Sequence, residues 1–136
     1  MNIADQPGVI PLWPNGVLGS ENWSHQEQET ILAGWLNERG VAAFVLKYRL
    51  VPTAVRDEDF FQEVDETFSN PNKMREVTRP IVPLAIADGQ QAMRVVRQRA
   101  PQWGLVPDRI GIMGFSAGGR VTIGVALEHD AESRPV

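Results

Sequence analysis

Apolar and polar positions follow two different rhythms along this chain, and the points where one rhythm gives way to the other mark its elements. Ile31, Leu32, Trp35 and Leu36 recur at the spacing of one helix face. Ser24 with Glu27 three residues on forms a capping-box pattern ahead of that stripe, and Gly40 stands where a C-terminal cap belongs. A helix is therefore predicted from Ser24 to Gly40. Six successive apolar residues, Val41 to Leu46, then lead into Lys47 and Tyr48. Such a run directly after a capping glycine predicts a strand over 41–48, covered on both faces as in a parallel sheet.

Residues 51–80 differ in character. Asp57, Glu58, Asp59, Glu63, Asp65 and Glu66 surround Phe60, Phe61, Val64 and Phe68. The spacing predicts a short amphipathic helix packed by its aromatics and broken by Asn70-Pro71-Asn72. From Ile81 to Arg99 a long helix is predicted, with Leu84, Ala87, Ala92, Val95 and Val96 as its buried side and Pro83 in its first turn. Gly89 is a weak point within it. Pro101, Gly104 and Pro107 end that helix and turn the chain. A second strand follows over Arg109 to Gly114, then a helix from about Ala117 to Leu127. The first 20 residues carry Pro7, Gly8, Pro11, Pro14, Gly16 and Gly19 and read as an irregular lead-in, with at most a short strand near Val9 to Leu12. The order of elements is an α/β pattern built on right-handed crossovers.

Composition narrows the class. The chain has 136 residues, enough for one domain with a real core, and is 43% apolar. Thirteen basic against seventeen acidic side chains leave a formal charge of −4, which argues against nucleic acid and anionic membrane as partners. Without cysteine, disulfides and thiolate chemistry are excluded. No apolar run approaches the ~20 residues of a membrane span. Met1 to Pro7 lacks a basic region followed by an apolar one, so no signal peptide is expected and a cytoplasmic location is the default. The two histidines, His25 and His129, form no metal-binding pattern, so a catalytic metal is not expected. The acidic cluster around Phe60 and Phe61 offers carboxylates to a metal, but a solvated helix face is the better reading.

The chemistry concentrates in residues 109–124. An apolar run meets Gly114-Phe115-Ser116-Ala117-Gly118, and a helical stretch follows. Gly-x-Ser-x-Gly between a strand and a helix is a nucleophile elbow, which names Ser116 as the nucleophile. The turn is expected to be so tight that side chains at Gly114 and Gly118 would collide with neighbouring backbone. Gly119 adds a second small residue for close packing. At the helix start, the backbone N–H of Ala117 can donate to a developing oxyanion. A rival use of the same glycines is phosphate binding at a helix N-terminus, as in dinucleotide folds. The glycines Gly111, Gly114, Gly118 and Gly119 do not form the Gly-x-Gly-x-x-Gly pattern it requires, although Glu128 stands at a tempting distance.

With these residues in view, the chain resembles bacterial α/β-hydrolase-fold esterases. The resemblance rests on Gly114 to Gly119, on Trp103-Gly104-Leu105-Val106-Pro107-Asp108-Arg109-Ile110, on Trp35 to Leu50, and on the opening Ile10 to Gly16. It is nearest to acetyl-xylan and related carbohydrate esterases, neighbours of the hormone-sensitive-lipase-like enzymes. The resemblance implies a single incomplete α/β-hydrolase domain over 1–136, with a partial parallel sheet and flanking helices. It implies that Ser116 is the nucleophile, Ala117 half of the oxyanion hole, and Gly114, Gly118 and Gly119 the elbow glycines.

The family's Gly-rich oxyanion loop, of His-Gly-Gly-Gly or Pro-Gly-Gly-Gly-Tyr type, has no counterpart ahead of Trp35. The acid and histidine that follow the nucleophile in the family have none either, so the chain is expected to be truncated and internally deleted. His129 lies 13 residues beyond Ser116. A helical path separates them by ~20 Å at about 1.5 Å per residue. His25, ahead of the sheet, reads as a solvent-facing residue. The implied activity is serine-dependent hydrolysis of short acyl esters, acetylated carbohydrates among them, without a cofactor. The alternative is a catalytically incompetent fragment that serves as a binding or assembly unit. An exposed edge of a truncated sheet would favour self-association.

Overall fold

A computed structural model describes residues 31–130 and 133–135. Helix α1 (Ile31–Asn37) ends in a turn through Gly40, which takes a φ of 71°. Val41 N–H donates to the Leu36 carbonyl, closing the helix end with the longer bond typical of a left-handed cap. Gly40 thus ends the first helix as its position predicted. The expected start at Ser24 lies outside the described residues.

Helix α2 (Asp57–Ser69) stops at Asn70, but the chain does not turn into a loop there. Helix α3 (Pro71–Thr78) begins at once. The Asn70 side chain accepts from the N–H groups of Asn72 and Lys73, and Pro71 occupies the first turn. Asn-Pro, expected as a break, is an N-cap followed by a proline where no N–H is needed. The aromatics of α2 do not pack it as expected. Phe61 and Phe68 are 67% and 75% exposed, and no residue of α2 is buried. Its acidic face is solvated, with Asp59 held by Arg56 and Glu66 by Lys73. Among the described residues no three ligating side chains gather as a metal site.

Helix α4 (Val82–Arg99) and helix α5 (Ala117–Leu127) form the core. Ala85, Ile86, Met93, Val121 and Val125 are buried together, with Tyr48, Val82, Ile110 and Ile112 packed at the margin. The two helices cross where each has a glycine. A Cβ on Gly89 would lie 2.6 Å from Val125 Cγ2, and one on Gly124 would strike Ile86. Gly89 therefore admits α5 rather than weakening α4. This crossing also selects the buried face of α4, which runs through Ala85, Ile86, Gly89 and Met93. Leu84, expected inside, is exposed.

The expected parallel sheet, and with it the α/β class, is corrected by the structure. Among the described residues there are six helical segments and no strand. Residues 41–54 and 110–115 follow non-helical paths without ladder hydrogen bonds. Of their apolar residues, Ile110, Ile112 and Tyr48 lie against α4 and α5, whereas Val41, Phe44, Val45, Leu50 and Met113 are exposed. An apolar run does not by itself make a strand, which requires a partner with matching N–H and C=O groups.

Long-range contacts hold these segments in place. Arg49 donates from its backbone N–H and from Nε to Asp88 Oδ2, and from Nη2 to Asp88 Oδ1 and the Leu84 carbonyl. Asp88, only 3% exposed on α4, has its charge compensated by this fork. Phe44 packs on Trp103 with ring centroids 5.1 Å apart. The 3₁₀ turn Ala100–Trp103 after α4 closes at Gly104, whose φ is 68°. Further along, Gln90, Arg94 and Arg97 of α4 bind Glu128, Asp130 and Arg134. No helix among the described residues is long and apolar enough to cross a membrane.

Candidate active site around Ser116

The site is built at the start of α5, from the residues predicted to make it. Ser116 is the N-cap of α5, with φ 51° and ψ −120°. It is the one non-glycine residue with positive φ among those described. A serine in this region carries ~1–3 kcal/mol of backbone strain, which persists only where the surroundings over-determine it. Those surroundings are visible in Gly114. A Cβ there would overlap the Gly118 carbonyl and lie 2.8 Å from Thr122 Oγ1. A Cβ on Gly119 would stand 3.2 Å from the Gly114 carbonyl oxygen. The extended arm and the first turn of α5 are pressed together, and the chain reverses through Ser116.

Gly118 plays a different part from the one expected. Nothing but the Tyr48 hydroxyl, 3.9 Å away, comes near a Cβ placed on it. Its backbone is what Gly114 abuts, so the steric demand falls on Gly114 alone of that pair.

A serine at an N-cap ordinarily turns its oxygen back to bond N2 or N3. Ser116 makes no such bond, and the residue is exposed. Its hydroxyl is therefore presented to solvent rather than spent on the helix. The first helical bond of α5 runs from Arg120 N–H to the Ser116 carbonyl at 3.2 Å. The N–H groups of Ala117, Gly118 and Gly119 precede it and have no acceptor among the described residues. The helix dipole adds positive potential at the same point. An anion developing beside Ser116 would meet donors there at no reorganisation cost.

His129 does not join this site. Helix α5 continues unbroken to Leu127, and His129 follows the C-cap Glu128. It is exposed, with Nδ1 3.2 Å from the Asp130 carbonyl. Thirteen residues at about 1.5 Å each put it ~20 Å from Ser116. His25 lies outside the described residues. Asp130, beside His129, is engaged elsewhere: the Arg94 guanidinium and then Ser133 hold its carboxyl well below the usual carboxylate range. Tyr48 was missed by the sequence analysis as a neighbour of the elbow. Nothing in the local pattern pairs it with Gly118, 70 residues away.

Residues 68–133, which include the whole elbow, match the BD-FAE family, an α/β-hydrolase-type esterase family. The chain is 32% identical over 101 residues to an acetylxylan esterase of Xylanibacter ruminicola. That match covers 74% of this chain but only 15% of the relative. No solved structure matches the chain.

Proposed function

We propose that this chain carries the nucleophile of a serine ester hydrolase acting on short acyl esters, acetylated carbohydrates among them. The observation that carries the reading is the backbone of Ser116, a strained serine whose exposed hydroxyl makes no capping bond to its own helix. Ser116 Oγ attacks the ester carbonyl and the negative charge passes to the carbonyl oxygen. The Ala117 N–H stabilises that oxyanion. Collapse breaks the bond to the alcohol, which leaves with the proton given up by the Ser116 hydroxyl; water then attacks the acyl group on Ser116, releasing the acid and returning the serine hydroxyl. The acetyl-carbohydrate part of the proposal rests on the name of the acetylxylan esterase relative.

Hydrolysis also needs a base within ~3 Å of the serine hydroxyl. His129 is too distant to serve. This observation favours a second reading, in which the chain keeps the elbow but binds or assembles without turnover. One experiment separates the two. The chain is incubated with p-nitrophenyl acetate and, separately, with a fluorophosphonate that marks reactive serines. The expected result is weak turnover and a mass increase confined to Ser116, both abolished in Ser116→Ala. Turnover or labelling that survives Ser116→Ala refutes the serine assignment. A folded chain that neither labels nor turns over supports the second reading.

A further inference from the structure

The six apolar residues from Val41 to Leu46 leave two demands unmet within one molecule. Val41, Phe44 and Val45 are 48%, 45% and 53% exposed, and Ala42 is exposed beside them. From Ala42 to Leu46 no backbone N–H or carbonyl makes a hydrogen bond among the described residues. Water serves such polar groups but not the apolar side chains. A helix docked here would cover side chains alone, because it spends its own N–H and C=O groups internally. A strand meets both demands, with donors and acceptors at the ladder spacing.

Charge and symmetry choose the strand. The run holds no charged residue, no proline and no glycine. That is the composition of segments that pair with identical copies of themselves. Antiparallel pairing about a two-fold axis lets the same patch of two molecules meet itself. All six residues are apolar, so every cross-strand pair within the run is apolar in any register. Residues 110–115 also lack backbone bonds, but Gly111 and Gly114 weaken that run as a strand. Helix α2 exposes Phe61 and Phe68, but it also carries Asp57, Glu58 and Asp65 and no basic residue, so a second copy would meet like charge there.

We propose that residues 41–46 form an interface with a second copy of this chain, the two runs pairing antiparallel as strands about a two-fold axis. The pairing lies between molecules and does not depend on whether Ser116 turns over an ester.

Sedimentation equilibrium and amide I infrared spectra of the full chain, recorded over a range of concentrations, test it. The expected result is a monomer that becomes a dimer as concentration rises, with an intermolecular sheet band growing in step. Each molecule carries −4. Raising ionic strength from ~0.01 M to ~1 M shortens the screening length from about 30 Å to about 3 Å and should therefore increase the dimer fraction. Val45→Lys sets like charges across the strand pair and should raise the dissociation constant at least about tenfold. Ala42→Lys should do the same and stands in if Val45→Lys loses its helical circular dichroism. Phe68→Lys, on α2, should leave the dimer intact.

A chain that stays monomeric at every concentration overturns the proposal. So does a dimer without the sheet band, one that survives both lysine variants of the run, or one that is lost in Phe68→Lys. Growth past a dimer overturns the two-fold closure. Slow hydrogen exchange of the 42–46 amides in the dilute monomer would show that the same chain already covers the run, and overturns the proposal equally.

Discussion

At the scale of single residues, the elbow separates glycines that look alike in the sequence. Gly114 and Gly118 flank Ser116 symmetrically in Gly-x-Ser-x-Gly, yet only Gly114 is sterically obliged to be glycine. A methyl group on Gly114 meets backbone atoms of the facing turn, which cannot swing aside as a side chain can. Gly114→Ala should therefore destabilise the protein by ~1–3 kcal/mol through overpacking. Gly118→Ala meets ordinary van der Waals space at a helical position and should be neutral or stabilising by up to ~1 kcal/mol, since alanine is the better helix former. Urea unfolding of the two variants checks this; equal losses of stability would show that the turn is not built as described. The identity of the strained serine was legible in its motif. The unequal burden of its glycines was not, because it depends on which atoms face each other across the fold.

Elements show the same division between pattern and packing. The limits of α4 and α5 follow their apolar spacing to within a residue. The Gly40 cap also falls at its predicted position. Helix α3 went unrecognised, because Asn-Pro is both a break and a start, and only the bonds from Asn70 to Asn72 and Lys73 distinguish the two. The buried face of α4 was displaced for a related reason. Apolar content ranks Leu84 above Gly89, whereas a close crossing favours the residue with no side chain. Gly124→Ala, on the other side of this crossing, drives a methyl group into Ile86. The expected cost is ~1–3 kcal/mol. Pairing it with Ile86→Ala should recover part of that loss relative to the sum of the single changes. Strict additivity of the two losses would count against direct contact between these positions.

On the scale of the whole molecule, α4 organises chain segments far apart in sequence. One side holds residues 41–50 through Asp88 and Arg49; the other holds Glu128, Asp130 and Arg134 through Gln90, Arg94 and Arg97. The second attachment is pH-sensitive. The Asp130 carboxyl titrates below its unfolded value because Arg94 and Ser133 bond its charged form. A depressed folded value means that the charged form stabilises the native state. That contribution is complete above the unfolded carboxylate pKa of about 3.9 and fades as pH falls below it. Asp130 is exposed, which screens the effect. The difference in Tm between the parent chain and Asp130→Asn should therefore be steady from pH 7 to about 5 and shrink toward pH 3. Parallel Tm curves over that range would remove Asp130 from the acid response.

Short-range pattern by itself determined the helical runs, the cap at Gly40 and the location of Ser116 in a sharp turn. Each depends on contacts within a few residues, where spacing and backbone freedom act directly. The sheet was decided only by tertiary structure. Val41 to Leu46 and Ile110 to Met113 are apolar enough for buried strands, but pairing depends on a second chain segment at the right distance and register. Without that partner only Ile110 and Ile112 of these runs pack against the core of α4 and α5, while Val41, Phe44, Val45 and Met113 stay exposed. The separation of His129 from Ser116 was half determined in advance, because 13 helical residues fix a length. That α5 runs straight to Leu127, rather than ending early and folding back, was settled by the packing of Val121, Gly124 and Val125 against α4. Local rules act over a turn of helix; a sheet or a catalytic constellation must bring distant segments together, and that closure is a property of the folded whole.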